Sequence, residues 1–302
     1  MKILLLGADG QLGYELHRAC APLGDIHACT LSGRLPGRQA CGQVDFENPG
    51  VLDALVREQR PQLVLNAVAH TAVDRAEDEP ALAHRINAEA VAELAEACRR
   101  QGAKLVHYST DYVFDGRMRR PIREDDPTGP VSVYGQTKLA GEQAIADSGC
   151  DHMVLRTAWV YAARGQNFLR TALKLARERE EIRIVNDQVG SPTPARWLAV
   201  ATALALARRF DAQGAWHVVA DGECSWHEFA QAILGDALVA GVLERAPRLV
   251  GIASHEFPTR ARRPAYSRLD SSRFARDFDL RLPDWRTGLR EVIAEIAEAR
   301  AG

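Results

Sequence analysis

The sequence has no long hydrophobic run. Among its 302 residues, no apolar stretch approaches the roughly 18 residues of a membrane-spanning helix. The first apolar run, residues 2–6, carries one charge and stops at Gly7, so it does not have the pattern of a signal peptide. We therefore expect a cytoplasmic protein that does not associate with membranes.

An excess of basic charge is also missing. The formal net charge is −2, and no Lys/Arg stripe is present. A nucleic-acid-binding protein usually shows such an excess, so this class is not favoured. Hydrophobic residues make up 46% and charged residues 26%, which is typical of globular proteins and not of disordered ones.

The six cysteines have no spacing that indicates a metal site. They stand singly at Cys20, Cys29, Cys41, Cys98, Cys150 and Cys224, without a CxxC pair. We expect them to be reduced thiols that lie in the core or at the surface. His70 and His107 likewise have no partner at a metal-ligand spacing, so core or surface roles are expected for both.

Strand and helix patterns alternate through the first 160 residues. Short apolar runs predict strands at 2–6, 25–31, 62–69, 104–110 and 152–160. Amphipathic stretches between them predict helices at 11–22, 51–59, 79–102 and 132–147. This alternation predicts an α/β fold, a Rossmann-type doubly wound parallel sheet with right-handed crossovers.

The pattern changes after about residue 160. Helices are predicted at 167–180, 194–210, 225–234 and from 285 onward, and a short strand at 215–219. Ser225 and Glu228 form a capping-box pattern. We predict a dinucleotide-binding domain over 1–158 and a smaller, mixed, mainly substrate-binding domain over 159–302, some segments of which could return to the first sheet.

A glycine loop follows the first strand. Its spacing, GxxGxxG, is a variant of the GxGxxG dinucleotide fingerprint, in the strand–turn–helix context that the fingerprint requires. Glycines there permit a tight turn and a close approach of a pyrophosphate to the helix N-terminus. A plain turn is the weaker alternative. The predicted cofactor-binding residues are Gly7, Gly10, Gln11, Leu12 and Gly13.

No acidic residue ends the second predicted strand, where one usually binds the ribose of NAD. Ser32 and Arg34 stand there instead and could bind a 2′-phosphate, which favours NADPH and leaves NADH possible; a solvated Arg34 is the alternative. Further on, Asp45 could accept a hydrogen bond from adenine and Phe46 could cover the ring. A helix-capping role for Asp45 is equally compatible with the sequence.

Three side chains have the chemistry to reduce a ketone. Tyr134 and Lys138 share one face of a predicted helix, and Thr110 ends the preceding strand beside Ser109. A ketone that receives a hydride also needs a proton, which a phenol releases poorly near neutrality. We expect the Lys138 cation to lower the pKa of Tyr134, Tyr134 to act as general acid, and Thr110 to orient the carbonyl.

These motifs resemble those of a known family. The glycine loop and the YxxxK of Tyr134 and Lys138 resemble the extended short-chain dehydrogenase/reductases. The segments GADGQLG, NAVAHTAVDRAE, STDYVFDG, VYGQTKLAGE, LRTAWVY, DQVGSPT and RRPAYSRLD resemble the dTDP-4-dehydrorhamnose reductase family along nearly the whole chain. Val68 stands where the family pattern has alanine, a conservative departure.

The resemblance implies an activity. The expected reaction is NAD(P)H-dependent reduction of the 4-keto group of dTDP-4-dehydro-β-L-rhamnose to dTDP-L-rhamnose, in dTDP-rhamnose and lipopolysaccharide O-antigen biosynthesis. Thr110, Tyr134 and Lys138 would be the catalytic residues. The alternatives are another nucleotide-sugar 4-ketoreductase or epimerase, or a non-catalytic NADP-binding regulatory subunit.

The resemblance also assigns binding residues. Those along the cofactor would be Asn66, Ala67 and Ala69, together with Tyr134 and Lys138. Those at the sugar would be Thr71, Val73, Asp111, Tyr112 and Trp159. Apart from the resemblance, Trp159 would be interpreted as a core aromatic and Thr71 as a helix cap.

Two further expectations concern charge. Arg262, Arg263 and Arg268 form a basic cluster, from which Arg263 is the candidate for the substrate diphosphate; a solvated loop is the alternative. The family resemblance also implies possible homodimers that bind Mg²⁺ through glutamates, and Glu15 matches one such position. The other ligands have no clear counterpart, so no metal-binding residue is assigned.

Overall fold

The computed structural model describes residues 1–301. In chain order its strands are β1 (Lys2–Leu6), β2 (Asp25–Thr30), β3 (Gly42–Gln43), β4 (Leu63–Asn66), β5 (Lys104–Thr110), β6 (His152–Thr157), β7 (Val160–Tyr161), β8 (Glu181–Val185), β9 (Val189–Gly190), β10 (Thr193–Pro194), β11 (Gly214–His217), β12 (Cys224–Ser225) and β13 (Arg248–Ile252). Its helices are α1 (Gln11–Ala19), α2 (Val51–Gln59), α3 (Val73–Asp78), α4 (Pro80–His84), α5 (Ala90–Gln101), α6 (Val133–Ser148), α7 (Phe168–Glu178), α8 (Ala195–Arg208), α9 (Trp226–Val239), α10 (Ser272–Phe278) and α11 (Trp285–Ala301).

The centre of the molecule is a parallel sheet of seven strands. Their order is β11-β6-β5-β4-β1-β2-β3, and every neighbouring pair is parallel. Strand order reverses at β1, which lies between β2 and β4, so the crevice for a ligand opens at the carboxyl ends of these strands. The predicted Rossmann-type doubly wound fold is confirmed.

Helices cover both faces of this sheet. Because side chains alternate along a strand, Ile3 and Leu5 face α1, α8 and α10, whereas Leu4 and Leu6 face α2, α5 and α6. The central strands are buried from end to end, which explains their nearly continuous apolar sequence. The same burial made β1 and β5 predictable to the residue.

The second half of the chain contributes both to the large sheet and to a separate apolar cluster. Its strand β11 pairs with β6 and so extends the large sheet, and α8 packs beside α1. The remainder forms three two-stranded sheets, β7 with β10, β9 with β12, and β8 with β13, around a separate apolar cluster. Tyr161, Phe229 and Trp285 are among the buried aromatics of this cluster. The predicted capping box of Ser225 and Glu228 begins α9 and is confirmed.

One predicted element is interrupted. The expected helix 79–102 consists of α4, a π-helical turn at Arg85–Glu89 and α5, which ends as predicted at Gly102 with a positive φ of 69°. The extra residue of the π turn places Asn87 against α6. Within residues 1–301, none of the helices has both the length and the apolar character needed to cross a bilayer.

Candidate active site

The glycine loop makes the tight connection that its spacing predicts. Gly7 has a φ of +79°, which favours glycine, and its N–H donates to Cys29 at the end of β2. A Cβ on Gly13 would lie 1.9 Å from the Gly7 carbonyl oxygen, so only glycine lets α1 begin this close to the loop. Gly10 caps α1, whose free N–H groups face the crevice. This geometry fits a bound pyrophosphate.

Gln11 ties this loop to the second half of the chain. Its Nε2 donates to the Gln166 carbonyl at 3.2 Å, and its Oε1 accepts from Asn167 Nδ2 at 2.7 Å. Leu12, in the first turn of α1, is partly buried and packs against the core. The cofactor crevice therefore lies between the first strand and a loop from the second half.

The residues proposed to bind the 2′-phosphate and the adenine of the cofactor differ in whether their side chains are free to contact it. Ser32 and Arg34 are exposed beyond the end of β2, where the Arg34 backbone is held by Thr30 Oγ1 at 3.0 Å. Asp45 accepts from Glu47 N–H at 2.9 Å and from Asn48, as a turn cap does. The Phe46 ring packs in the core, so it does not cover a base and leaves only its backbone for the cofactor.

Thr110 and Tyr134 come together at the carboxyl end of β5. Thr110 is the last residue of that strand, and Ser132 caps α6 by accepting from Gly135 N–H at 3.2 Å. A Cβ on Gly135 would lie 2.2 Å from the Tyr112 carbonyl oxygen, so this glycine lets α6 approach the turn after β5. The close approach brings the Tyr134 and Tyr112 rings edge to face, with centroids 5.6 Å apart.

Burial governs the acidity of Tyr134. It raises the pKa of the phenol to about 12, while the Thr110 hydroxyl, within hydrogen-bonding reach, acts to lower it. The direction is opposite to the lowering that the sequence predicts from Lys138. The phenol is therefore protonated over the whole neutral range, as a proton donor must be.

The Lys138 ammonium group is directed inward. Its side chain is 1% exposed, and Nζ lies 2.7 Å from the Tyr108 carbonyl oxygen and 3.0 Å from His107 Nε2. Burial lowers the pKa of Lys138 to about 8, and the nearby Glu142 carboxylate works against this shift. Lys138 thus lies one helical turn from Tyr134, with its position set by β5.

Sequence reasoning assigned no site role to two polar residues that hold this region together. His107 is fully buried and bonds Asn66 on one side and Lys138 on the other. Asn87 binds both backbone groups of His70 and the Thr137 hydroxyl. The sequence signal that could have identified them is a polar residue within an otherwise apolar pattern. His107 stands inside an apolar strand, and Asn87 stands inside a predicted helix.

The segment after β4 borders the glycine loop. A Cβ on Gly7 would lie 3.2 Å from the Ala67 carbonyl carbon, so the two backbones touch. Ala67 and Ala69 are partly buried along this contact, where the resemblance expects the cofactor. Thr71 is exposed in the same loop, and Val73 begins α3.

Asp111 and Tyr112 form the turn that follows Thr110. Asp111 Oδ1 accepts from the Thr110 hydroxyl at 3.0 Å, whereas its buried Oδ2 has no partner within residues 1–301. Burial raises the pKa of Asp111 to about 6, while the nearby Ser267 and Thr110 hydroxyls act to lower it. Burial also raises the pKa of Tyr112.

Arg263 already has an anionic partner. Its two terminal nitrogens bind the two carboxylate oxygens of Asp74 at 3.1 and 2.6 Å. The pair lines a cavity of about 1210 Å³ between α7, β8 and the segment 254–265. Tyr112 lies near Arg263, and its ring contacts that of Tyr134, so the cavity lies near the start of α6. Arg262 is exposed and Arg268 pairs with Glu223.

Trp159 is held in a strained backbone conformation. Its φ is +48°, which is unfavourable for a large side chain. The indole stacks on Trp226 with ring centroids 3.4 Å apart and planes 5° apart, and it fits only because Gly190 has no Cβ. Strain of this kind is often found at binding sites, and Trp226 lines the cavity.

The residues around Glu15 do not fit a metal ion. Glu15 is buried, and the Arg196 guanidinium lies between its carboxylate, at 3.4 Å, and that of Glu295, at 2.8 Å. A cation is therefore already present at this place. Residues 1–301 contain no cluster of three or more histidine, cysteine or acidic side chains suited to a metal.

Comparison with known proteins gives a consistent match. The model of the family described as RmlD substrate binding domain matches residues 1–298. The chain is 44% identical to the dTDP-4-dehydrorhamnose reductase of Salmonella typhimurium over 98% of both chains, and 47% identical to that of Burkholderia thailandensis over 95% of this chain and 96% of the relative.

A solved structure shares the whole fold. The dTDP-4-dehydrorhamnose reductase of Bacillus anthracis, in complex with NADP, superposes with a TM-score of 0.88 at 34% identity, over 97% of this chain and 99% of that chain. Fold and sequence agree along nearly the whole length. The chain therefore belongs to the dTDP-4-dehydrorhamnose reductase family of the short-chain dehydrogenase/reductase superfamily.

Proposed function

We propose that this protein reduces the 4-keto group of dTDP-4-dehydro-β-L-rhamnose to give dTDP-L-rhamnose. The observation that supports the proposal is that Thr110 ends β5 and that Tyr134 and Lys138 lie on α6, in a sheet whose first strand leads into a glycine loop that fits a dinucleotide. Family membership supplies the substrate, since the relatives named above are reductases of this sugar.

The cofactor fits the residues present. The loop from Gly7 to Gly13 would hold its pyrophosphate, and Asn66, Ala67 and Ala69 would lie along it, with Ser32 and Arg34 near the 2′-phosphate. NADPH is the proposed form, supported by the NADP in the Bacillus anthracis structure and by the missing acid after β2. When bound, the reduced nicotinamide supplies the hydride.

This chain's own side chains supply the proton and the orientation. Tyr134 holds a proton at neutral pH and lies next to Thr110, so it can donate to the carbonyl oxygen that Thr110 orients. Lys138 is fixed by the Tyr108 carbonyl and His107, and its remaining hydrogen-bonding capacity would serve the cofactor ribose. Each residue thus performs one of the steps that ketone reduction requires.

The cavity beside Arg263 is the proposed site of the nucleotide sugar. Tyr112 connects it to Tyr134, and Trp159, Thr71, Val73 and Asp111 would border the sugar. The substrate diphosphate would compete with Asp74 for the Arg263 guanidinium. In this scheme residues 1–158 bind the dinucleotide and residues 159–302 mainly bind the substrate.

The test is a coupled assay. Supplied with dTDP-4-dehydro-6-deoxyglucose, its 3,5-epimerase and NADPH, the protein should oxidise the cofactor and form dTDP-L-rhamnose. Turnover only with a different nucleotide sugar would contradict the substrate, and NADH preferred over NADPH would contradict the role of Arg34. No turnover with any nucleotide sugar, combined with tight NADPH binding, would favour a regulatory subunit.

Tyr134→Phe tests the role of Tyr134 as the proton donor. The variant should lose about 10²–10⁴-fold in kcat because it cannot donate a proton, while its NADPH dissociation constant stays within about twofold of wild type. Tyr14→Phe, at a half-buried position of α1 with no assigned site role, serves as the matched control and should keep full activity. A fully active Tyr134→Phe protein would overturn the assignment.

The proposal includes a cytoplasmic location and, by the family resemblance, a homodimer. In support of the location, the six cysteines are free thiols, five of them buried, as expected in a reducing compartment. Sedimentation velocity at micromolar concentration tests the dimer.

A further inference from the structure

A groove between α7 and the end of α11 has an excess of positive charge. Its volume is about 920 Å³, and the loop 163–167 forms part of its wall. The basic side chains that line it are Arg164, Arg170, Lys174, Arg177, Arg179 and Arg300. Among the described residues of the lining, two are acidic, Glu178 and Glu295. Because the chain as a whole has a net charge of −2, this excess is local.

The two acidic residues of the groove already have cationic partners. Glu295 accepts a hydrogen bond from Arg196, which does not line the groove, at 2.8 Å. The Glu178 carboxylate lies 4.0 Å from Lys174 Nζ on the same helix. The charges of the groove's arginines are therefore left without compensation from these carboxylates.

Three of these arginines form no ion pair in the part of the chain that the structure describes. Arg170 donates to the Ala163 carbonyl and Arg300 to the Val242 carbonyl. Partial desolvation, together with the like charges of Arg300 and Arg170, lowers the pKa of the Arg177 guanidinium. The three cations thus lie close enough to repel one another.

The placement of these cations on α7 is unfavourable in the absence of an anion. Arg170, Lys174 and Arg177 share one face of the helix, since they follow one another at i, i+4 and i+7, and like charges at such spacings destabilise a helix. Arg170 also lies in the first turn, where the helix dipole disfavours a cation. A multiply charged anion along this face would relieve both effects.

The size and lining of the groove indicate the chemical class of this anion. Guanidinium groups bind phosphate oxygens through paired, charge-assisted hydrogen bonds. Arg170 and Arg177 are separated by about 10 Å along the helix axis, a span that suits several linked phosphates better than one. None of the described residues of the lining is aromatic, so the groove offers no surface on which a nucleobase could stack.

We propose that the groove between α7 and α11 binds a chain of linked phosphates, either free or as part of a nucleotide, through Arg170, Arg177 and Arg300. The site goes beyond the proposed function, since it lies outside both the glycine loop and the cavity beside Arg263. Arg179 borders the groove and that cavity, so the test must distinguish the two places.

Calorimetric titration of the full-length protein with inorganic triphosphate tests the proposal. NADPH is kept saturating so that it occupies the glycine loop, and the ionic strength is low because salt screens surface charges. We expect one triphosphate to bind per chain, about tenfold or more tightly than inorganic phosphate, and ATP to bind within about threefold of triphosphate. No saturable binding, or phosphate binding as tightly as triphosphate, would overturn the proposal. A much tighter complex with ATP would show that a base is recognised and would also contradict it.

Arg177→Gln removes one cation from the groove and should weaken triphosphate binding about tenfold. Arg57→Gln is the matched control, because Arg57 is an exposed arginine in the last turn of α2, as Arg177 is in α7. It should bind triphosphate as the wild type does, and so should Arg263→Gln. A loss in Arg263→Gln equal to that in Arg177→Gln would place the anion in the other cavity and refute the site.

Glu178→Gln should have the opposite effect. It removes a negative charge from the groove and releases Lys174, so triphosphate should bind about threefold more tightly. A role of Glu178 in folding alone would not strengthen binding. Unchanged or weaker binding in this variant would count against the electrostatic basis of the site. Because turnover is not measured, the outcome is independent of whether the proposed reaction is observed.

Discussion

At the scale of single residues, the sequence indicated the reactive groups but not their environments. Tyr134 and Lys138 could be placed on one helix face from their spacing, and Thr110 at a strand end. The spacing could not show that Lys138 bonds to β5, because this depends on tertiary packing that buries both partners. Nor could it show that Arg263 is paired with Asp74, 189 positions away in the chain.

Asp111 gives a pH-dependence prediction at this scale. Burial raises the pKa of its carboxyl to about 6, above the ordinary 3.8. The fold therefore holds this proton more tightly than the unfolded chain does. The resulting stabilisation is complete below about pH 4 and is lost as the pH rises through about 6.

Asp111→Asn should remove this dependence. Between pH 4 and pH 7, the wild-type free energy of unfolding should fall relative to the variant by on the order of 2 kcal/mol, measured by urea denaturation at both values. Asp25→Asn, at an exposed position, is the control and should retain the wild-type slope. Parallel pH dependences for wild type and Asp111→Asn would contradict the prediction.

At the scale of elements, the local pattern predicted which segments form the core strands and helices, although β4, predicted at 62–69, spans only Leu63–Asn66. The bounds of β1, β5 and α2 agree with the prediction, and those of α6 differ by one residue. The π turn at Arg85–Glu89 was not predictable, because it arises from contact with α6: a Cβ on Gly141 would lie 2.2 Å from the Asn87 carbonyl oxygen. The sequence pattern of a helix does not show which element will pack against it.

Two helical glycines give a matched prediction. Gly13→Ala places a Cβ against the Gly7 carbonyl, so α1 must shift, and NADPH affinity should fall at least tenfold with a loss of about 1–3 kcal/mol in stability. Gly235→Ala, in α9 with no atom within 4 Å of the new Cβ, should gain about 0.5–1 kcal/mol and leave affinity unchanged. Thermal unfolding and cofactor titration measure both. Equal effects in the two variants would contradict the packing argument.

At the scale of the whole molecule, ion pairs join segments that are distant in the chain. Arg196 of α8 links Glu15 of α1 to Glu295 of α11, and Asp74 of α3 holds Arg263 of the second half. The order of the segments predicted the sheet, but the return of β11 to it depends on non-local pairing, which single segments do not encode. The division of labour between the two halves remains a proposal.

Arg196→Glu tests the first of these links. The variant replaces the internal cation by a third carboxylate beside Glu15 and Glu295, so it should lose on the order of 1–2 kcal/mol, since the site is partly exposed. Added Mg²⁺ should raise the melting temperature of the variant and leave that of the wild type unchanged. EDTA should also leave the melting temperature of the wild type unchanged. A wild-type protein destabilised by EDTA would show that a metal is bound after all.

The stacked indoles of Trp159 and Trp226 have an optical consequence. Two chromophores that are stacked 3.4 Å apart with nearly parallel planes couple electronically and produce a signed pair of bands in circular dichroism. Trp226 lines the cavity proposed for the nucleotide sugar. Trp159 has a strained backbone conformation, and a movement of this residue would relieve the strain. A ligand that separates or tilts the rings would change this signal without any label. The protein thus carries its own spectroscopic reporter of occupancy at the substrate cavity.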